Sequence, residues 1–377
     1  MPLICERLGV LLLALPSRAL IRQASHRSSS FRGIAVLAAA SPVTAATATA
    51  AALCGPDSST SSHRFCTMDE GEFSSRSVDQ IVLSREQAEG QGARVRRSIG
   101  GSVLRNFDPF LMLDEFSVGS SAGFPDHPHR GFETVTYMLK GIMNHEDFCG
   151  HRCGLVLRRG SIGPGSLQWM TAGKGILHAE MPGSAERAHG LQLWVNLKSA
   201  DKMVDPAYQE LNADEIPSVT KDGVTAIVIA GEALGISSPV QTRTPTYYIH
   251  FKMEPNSELT QPIPSSMNGF LYILEGKAAV GPGQGEKDLI DAHNTVTLTR
   301  EGSGVLVKTF DSPTDFVLIC GEPTGEPVVQ HGPFVMNTRQ EIQQAMIDYQ
   351  TSSNGFENAR KWYSQIGLPM THADRLR

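Results

Sequence analysis

The sequence predicts an all-β protein: two jelly-roll β-barrels in tandem, followed by a short helical C-terminal tail. Four observations carry that prediction. Between Arg76 and Leu211, short apolar runs such as "VRRSIG", "FETVTYMLKG", "SLQWMTAGKG" and "GLQLWVNL" alternate with glycine turns. The pattern starts again between Val224 and Cys320, in "VTAIVIAG", "TYYIHFKM", "GFLYILEGKAAVG", "NTVTLTR", "GVLVKTF" and "DFVLICG". Glu133–Gly141 and Gly269–Gly281 each run an apolar strand into a charged residue and a glycine turn, which points to a duplicated β unit. Last, Ile342, Ala345, Met346 and Tyr349 fall at helical spacing, and "SSNGF" breaks that pattern near Gly355 ahead of a second short helix.

The elements follow in chain order. Residues 1–67 are rich in Ser, Ala and Thr and carry six arginines against Glu6 and Asp57. This is the composition of a transit peptide or a disordered extension, addressed to plastid or mitochondrion. Initiation at Met68 would instead give a cytoplasmic or nuclear product. A secretory signal is the rival reading of "LGVLLLAL", but Pro16 and further arginines follow it. With +4 in this segment, the chain's net charge of −6 leaves −10 on the rest, which argues against a non-specific nucleic-acid surface. No stretch is long and apolar enough to cross a bilayer. Residues 68–215 are assigned to the first barrel. The polar, Pro-broken "KMVDPAYQELNADEIPSV" is a connector, and residues 216–377 form the second barrel and the tail. Cys149, Cys153 and Cys320 show no paired spacing, so a reducing compartment without structural zinc is expected.

Chemistry concentrates at "GFPDHPHRGFETVTYMLKG", Gly123 to Gly141. Alternate strand residues share a face, so His127 and His129 can aim two imidazoles at one point from about 7 Å apart. Pro128 between them suits a strand start or edge. About fifty residues on, "GKGILHAEMPG" repeats the spacing with His178 and Glu180. Two such strands meeting at a barrel mouth would offer three imidazoles and one carboxylate. That set suits non-haem Fe(II), with Mn or Ni able to occupy the same shell. The competing carboxylate, Glu133, would lie about 13 Å beyond His129 on a straight strand, so Glu180 is preferred as ligand and Glu133 as a second-layer or structural group. The plain alternative is two packed or solvated pairs. His145 and His151 read as loop residues, and His189, His250, His293 and His331 as structural. "GPGQGE" opens no helix and reads as a hairpin loop. Phe132, Gln168, Trp169 and Met170 are candidate pocket walls, whereas core filling is the expected use of Trp169 and Trp194.

Five segments in order, "FPDHPHRGFETVTYMLKG", "HEDFCGH", "LQWMTAGKGILHAEMP", "QLWVNL" with "KMVDPAYQEL", and "GEPVVQHGPFVMNT", resemble the pirin family of the cupin superfamily, in a plant- or algal-type form with an N-terminal extension. The resemblance runs from Ser77 to Gly367 and is interrupted by "CGLVLRR", Cys153 to Arg159. It implies two cupin barrels of which only the first binds metal, with iron on His127, His129, His178 and Glu180. It also implies a quercetin (flavonol) 2,4-dioxygenase-type activity, in which O2 opens the flavonol ring with loss of CO. Glu180 would then double as ligand and catalytic base. The second barrel's "SMNGFLYILEG" carries no H-x-H, and its expected work is packing and partner contact. A non-enzymatic alternative is an iron- and redox-dependent regulator that binds transcription or signalling proteins; a metal-free scaffold is a third. A monomer is expected, because paired barrels cover most of their sheet edges.

Overall fold

The strand periodicity is realised as two antiparallel barrels, each a seven-stranded sheet faced by a four-stranded one. The computed structural model describes residues 73–89, 92–149 and 159–367. In the first barrel the large sheet runs, in spatial order, Ala207–Leu211, Leu167–Thr171, Phe132–Lys140, Ala188–Asn196, Phe110–Val118, Ala93–Ile99 and Glu86–Glu89. Facing it are Phe124–His129, Ile176–Pro182, Met143–Asp147 and Arg159–Ile162. The transit-like segment 1–67, His151 and most of Cys153–Arg159 lie outside the described residues.

Period-two alternation decides what each face does. On Asn268–Glu275, Leu271 and Ile273 fill the second barrel, while Phe270, Tyr272 and Leu274 pack in the seam between the barrels. Val317 and Ile319 face the same seam, and Phe316 and Leu318 point the other way. A strand buried on both faces reads as an unbroken apolar run, which explains "GFLYILE". In the first barrel Val135, Tyr137, Leu191, Leu193 and Val195 fill that seam. The alternate positions, Thr134, Thr136, Gln192 and Trp194, therefore face the first barrel's interior. Thr134, Thr136 and Gln192 thus bring polar groups into the first barrel's interior, whereas Leu271, Ile273, Phe316 and Leu318 keep the second's apolar.

The segments flanking the two barrels cross over. Val78–Leu83 pairs with Asn294–Leu298 in the second barrel's sheet. The buried Arg76 guanidinium anchors the approach by donating to Met267 O at 2.8 Å and Pro264 O at 2.9 Å. Conversely, the hairpin Val329–His331/Phe334–Met336 and the helix Arg339–Thr351 pack on the first barrel. There Phe334, Met336, Ile342, Ala345 and Phe356 cover Met170, Ile176 and Leu177. The helix starts on the N-cap Thr338, whose Oγ1 accepts from Glu341 N at 3.2 Å, while Glu341 Oε2 accepts from Asn337 N and Thr338 Oγ1. It stops at Ser352, whose φ of 55° is left-handed. The expected second short helix forms only successive turns, such as Ala359 N to Phe356 O and Lys361 N to Asn358 O. The segment is too short to repay helix nucleation, and Phe356 pins it to the core. The "GPGQGE" loop closes an antiparallel pair between Lys277–Val280 and Ile290–Asp291, as a hairpin.

Candidate metal centre

His127 and His129 end the strand Phe124–His129, and Ile176–Pro182 runs antiparallel beside it with His178 directly opposite His127. Strand parity supplies two imidazoles from one strand, and cross-strand pairing adds the third. Ring centroids lie 4.8 Å apart for His127–His129, 4.3 Å for His127–His178 and 4.9 Å for His129–His178. One ligating atom from each ring falls within 4.8 Å of the others, and among the described residues no other cluster of three or more His, Cys, Asp or Glu meets that distance.

Electrostatics favour a cation acceptor over protons here. His129 and His178 are almost fully buried, and none of their four ring nitrogens has a hydrogen-bond partner. Such orphaned polar atoms are costly unless an ion or water meets them. Burial, reinforced by the positive charge His127 would carry when protonated, pushes both rings well below the usual imidazole range. They are therefore neutral, with lone pairs available. His127 Nδ1 lies 2.9 Å from Pro125 O. A carbonyl only accepts, so Nδ1 carries the hydrogen and Nε2 is the ring atom left for a metal. Three imidazole donors fit a borderline divalent metal.

Glu180 shares its strand face with His178 and lines the same cavity as His127 and His129. Its Oε1 accepts from Thr136 Oγ1 at 3.1 Å, and the carboxylate stands outside the three-imidazole cluster. Glu133 is on the seam side of its strand. It is buried and accepts from Trp169 Nε1 at 3.0 Å and Thr171 Oγ1 at 2.6 Å. Burial pushes its pKa up, and its work is structural.

The cavity beside the imidazoles measures about 780 Å³. None of Phe132, Gln168, Trp169 and Met170 lines it. Phe132 backs His129 at 5.2 Å, Gln168 donates to Glu210 at 3.0 Å, Trp169 lies in the seam, and Met170 lies under the tail. Trp194, expected in the core, is instead a cavity wall, 5.3 Å from His129 and 4.4 Å from Phe132. It alternates with Leu193 and Val195, so its ring turns inward. His145 is not a loop residue. It sits buried on Met143–Asp147 opposite Glu180, with Nε2 3.0 Å from Glu210, because the strand continues to Asp147. The other described histidines are structural or peripheral. His250 bonds Tyr137 and Asp315, His189 and His293 bond Glu115, and His331 ends an exposed hairpin strand.

Sequence reasoning missed Thr136 and Gln192, although the seam-facing Val135, Tyr137, Leu191 and Leu193 fix their inward direction. It also missed the tail, which supplies Val328, Gln330, Gly332 and Pro333 to the cavity wall. Arg130, next to His129, is buried and binds the tail through Asp348 Oδ2 at 2.7 Å and Asn354 O at 2.5 Å. Gly131 has φ 88°, and a Cβ there would meet Val335 O at 2.0 Å, so only glycine admits the tail this close. Lys202 is buried at this junction, donating to Gly131 O at 2.8 Å and Asn196 Oδ1 at 2.6 Å, and burial lowers its pKa to about 8.

The arrangement has counterparts among known proteins. The family model described as Pirin matches residues 92–195, and Pirin C-terminal cupin domain matches residues 248–355. Human pirin is 58 % identical over 296 residues, covering 78 % of this chain and 99 % of the human one. A pirin-like protein of Solanum lycopersicum is 55 % identical, over 77 % of this chain and 97 % of its own length. The structure of quercetin 2,3-dioxygenase from Acinetobacter baumannii superposes with a TM-score of 0.66 at 30 % identity, covering 74 % of this chain and 98 % of that one. The structure of GK1651 from Geobacillus kaustophilus gives 0.60 at 33 %, covering 68 % and 100 %. With both barrels matched and the three imidazoles converging in the first, the chain belongs to the pirin family of bicupins.

Proposed function

We propose that the protein is a flavonol dioxygenase of the quercetin 2,4-dioxygenase type, using one iron held by His127, His129, His178 and Glu180. The observation that carries this reading is the set of unpartnered nitrogens on the buried rings of His129 and His178, beside a cavity of about 780 Å³. The likeness to the Acinetobacter baumannii quercetin 2,3-dioxygenase supports the substrate class. Manganese or nickel would suit the same donors. When bound, the metal supplies Lewis-acid and one-electron chemistry toward a hydroxylated substrate and O2. The chain's own groups do the rest. Phe116, Phe124 and Trp194 offer apolar surface to a flat ring system, and Gln192 and Arg97 offer polar edges. Glu180 receives the proton of the substrate hydroxyl on its carboxylate.

The test uses the full chain and its His127→Ala variant. Metal content and quercetin loss under oxygen are measured on both. Bound iron with turnover, and loss of both in the variant, is the expected result. Metal without turnover would replace the enzyme reading by that of an iron-dependent regulator of protein partners, and well-folded protein with neither would leave a scaffold.

A further inference from the structure

Across the interior of the first barrel, one hydroxyl connects the two sheets beside the candidate centre. Thr136 Oγ1 lies 3.1 Å from Glu180 Oε1 and 2.6 Å from Gln192 Oε1. Thr136 and Gln192 are direct cross-strand partners on Phe132–Lys140 and Ala188–Asn196, whereas Glu180 comes from the facing sheet. Thr136 is buried, and so is Glu180. A hydroxyl has one proton; a carboxylate oxygen without a hydrogen of its own only accepts, whereas an amide side chain offers a donor as well as an acceptor. The proton therefore belongs to the bond with Glu180. Gln192 completes the chain by turning its amide nitrogen to the hydroxyl oxygen, a half-turn about its last side-chain bond that leaves the shape unchanged. The order is then Gln192 to Thr136 to Glu180.

We propose that Thr136, backed by Gln192, is a positioning residue for Glu180: its hydroxyl engages Oε1 and so fixes Oε2 as the oxygen presented to the metal. This rests on the reading of Glu180 as the fourth ligand. A glutamate has three side-chain torsions to settle, and a bond anchored on a paired strand settles them before an ion arrives. The imidazoles receive the same service from Pro125 O and from tight packing. Outer-layer partners of metal ligands commonly change affinity by about 10- to 100-fold when removed. Thr136→Val keeps the shape and deletes the hydroxyl; Thr136→Ser keeps the hydroxyl and trims a methyl.

The experiment loads the full-length chain with Co(II) and reads two quantities, affinity by chelator competition and the visible absorption of the bound ion. The Val variant is expected to bind Co(II) at least about tenfold more weakly with an altered spectrum, and the Ser variant to return both to wild-type values. In a Glu180→Gln background, Thr136→Val should change neither. An unchanged spectrum and affinity in the Val variant, tighter binding in it, failure of Ser to restore, or a full Val effect without Glu180 would each overturn the proposal. Quercetin turnover is followed in parallel, with kcat expected to fall more than KM rises. If the wild type turns over no quercetin, the dioxygenase reading fails while the Co(II) readings still decide the role of Thr136.

Discussion

Glu133 and Glu180 are both buried carboxylates of the first barrel, and their neighbours give them different work. Glu133 satisfies an indole N–H and a threonine hydroxyl on the seam side of its strand. Glu133→Ala would leave both donors buried and unpaired, at about 2–4 kcal/mol of stability. Its metal content should stay at the wild-type level. Denaturant melts with parallel metal analysis check this, and a variant that loses the ion while keeping its midpoint would make Glu133 a ligand after all. At this scale much of the site was legible in the sequence. The i, i+2 rule identified which side chains of His127, His129, His178 and Glu180 share faces, because parity is a local property of a strand. Trp194 and His145 were misjudged for the complementary reason. Whether a face looks into a seam or a lumen, and whether a strand continues past its apolar run, depends on partners distant in sequence.

The strand that carries His127 and His129 is held by the tail as well as by its ladder. Arg130 and Asp348 form an ion pair whose side chains are only 2 % and 3 % exposed, and Arg130 also donates to Lys174 O at 2.6 Å. Its guanidinium carbon lies 4.8 Å over the Phe356 ring. Breaking one partner of a buried pair leaves an uncompensated charge, so Asp348→Asn is expected to cost about 3–5 kcal/mol. The loss should appear first as faster hydrogen exchange in Arg339–Thr351 and at Arg130, and metal affinity should fall with it. Exchange that stays unchanged in both segments would separate the tail from the centre. The helix itself was readable from its spacing and capping residues. Its docking site was not, because an amphipathic face specifies that something is covered without naming the surface.

At the scale of the whole, the described residues form two barrels that share a core and exchange their flanking segments. Ile99, Tyr137 and Leu193 from one side meet Tyr248, Phe270 and Ile319 from the other, while Tyr137–His250 and Glu115–Tyr272 place hydrogen bonds across the same seam. The connector includes an exposed stretch at Asn212–Glu215. A protease site engineered there should yield a cut chain that still elutes as a single particle of intact size and separates only in denaturant. Two freely dissociating fragments would mean that the seam and the exchanged ends bind weakly. Duplication was visible in the repeated strand pattern, but the exchange was not, since the long-range pairing of Val78–Leu83 with Asn294–Leu298 leaves no local mark.

The crossed termini also bear on how the protein is handled. Near the carboxyl end, Ser364 bonds to Asp126, the neighbour of His127, and Gln365 N donates to Glu146 at 2.5 Å. An affinity handle or fluorescent reporter placed directly behind Gly367, in place of residues 368–377, would tug on that contact, and iron lost from such a fusion would report the attachment and not the polypeptide. A handle set between residue 67 and Phe73 avoids both that contact and the transit-like segment, because the next strand, Val78–Leu83, is stitched into the barrel that contributes no imidazole to the cluster.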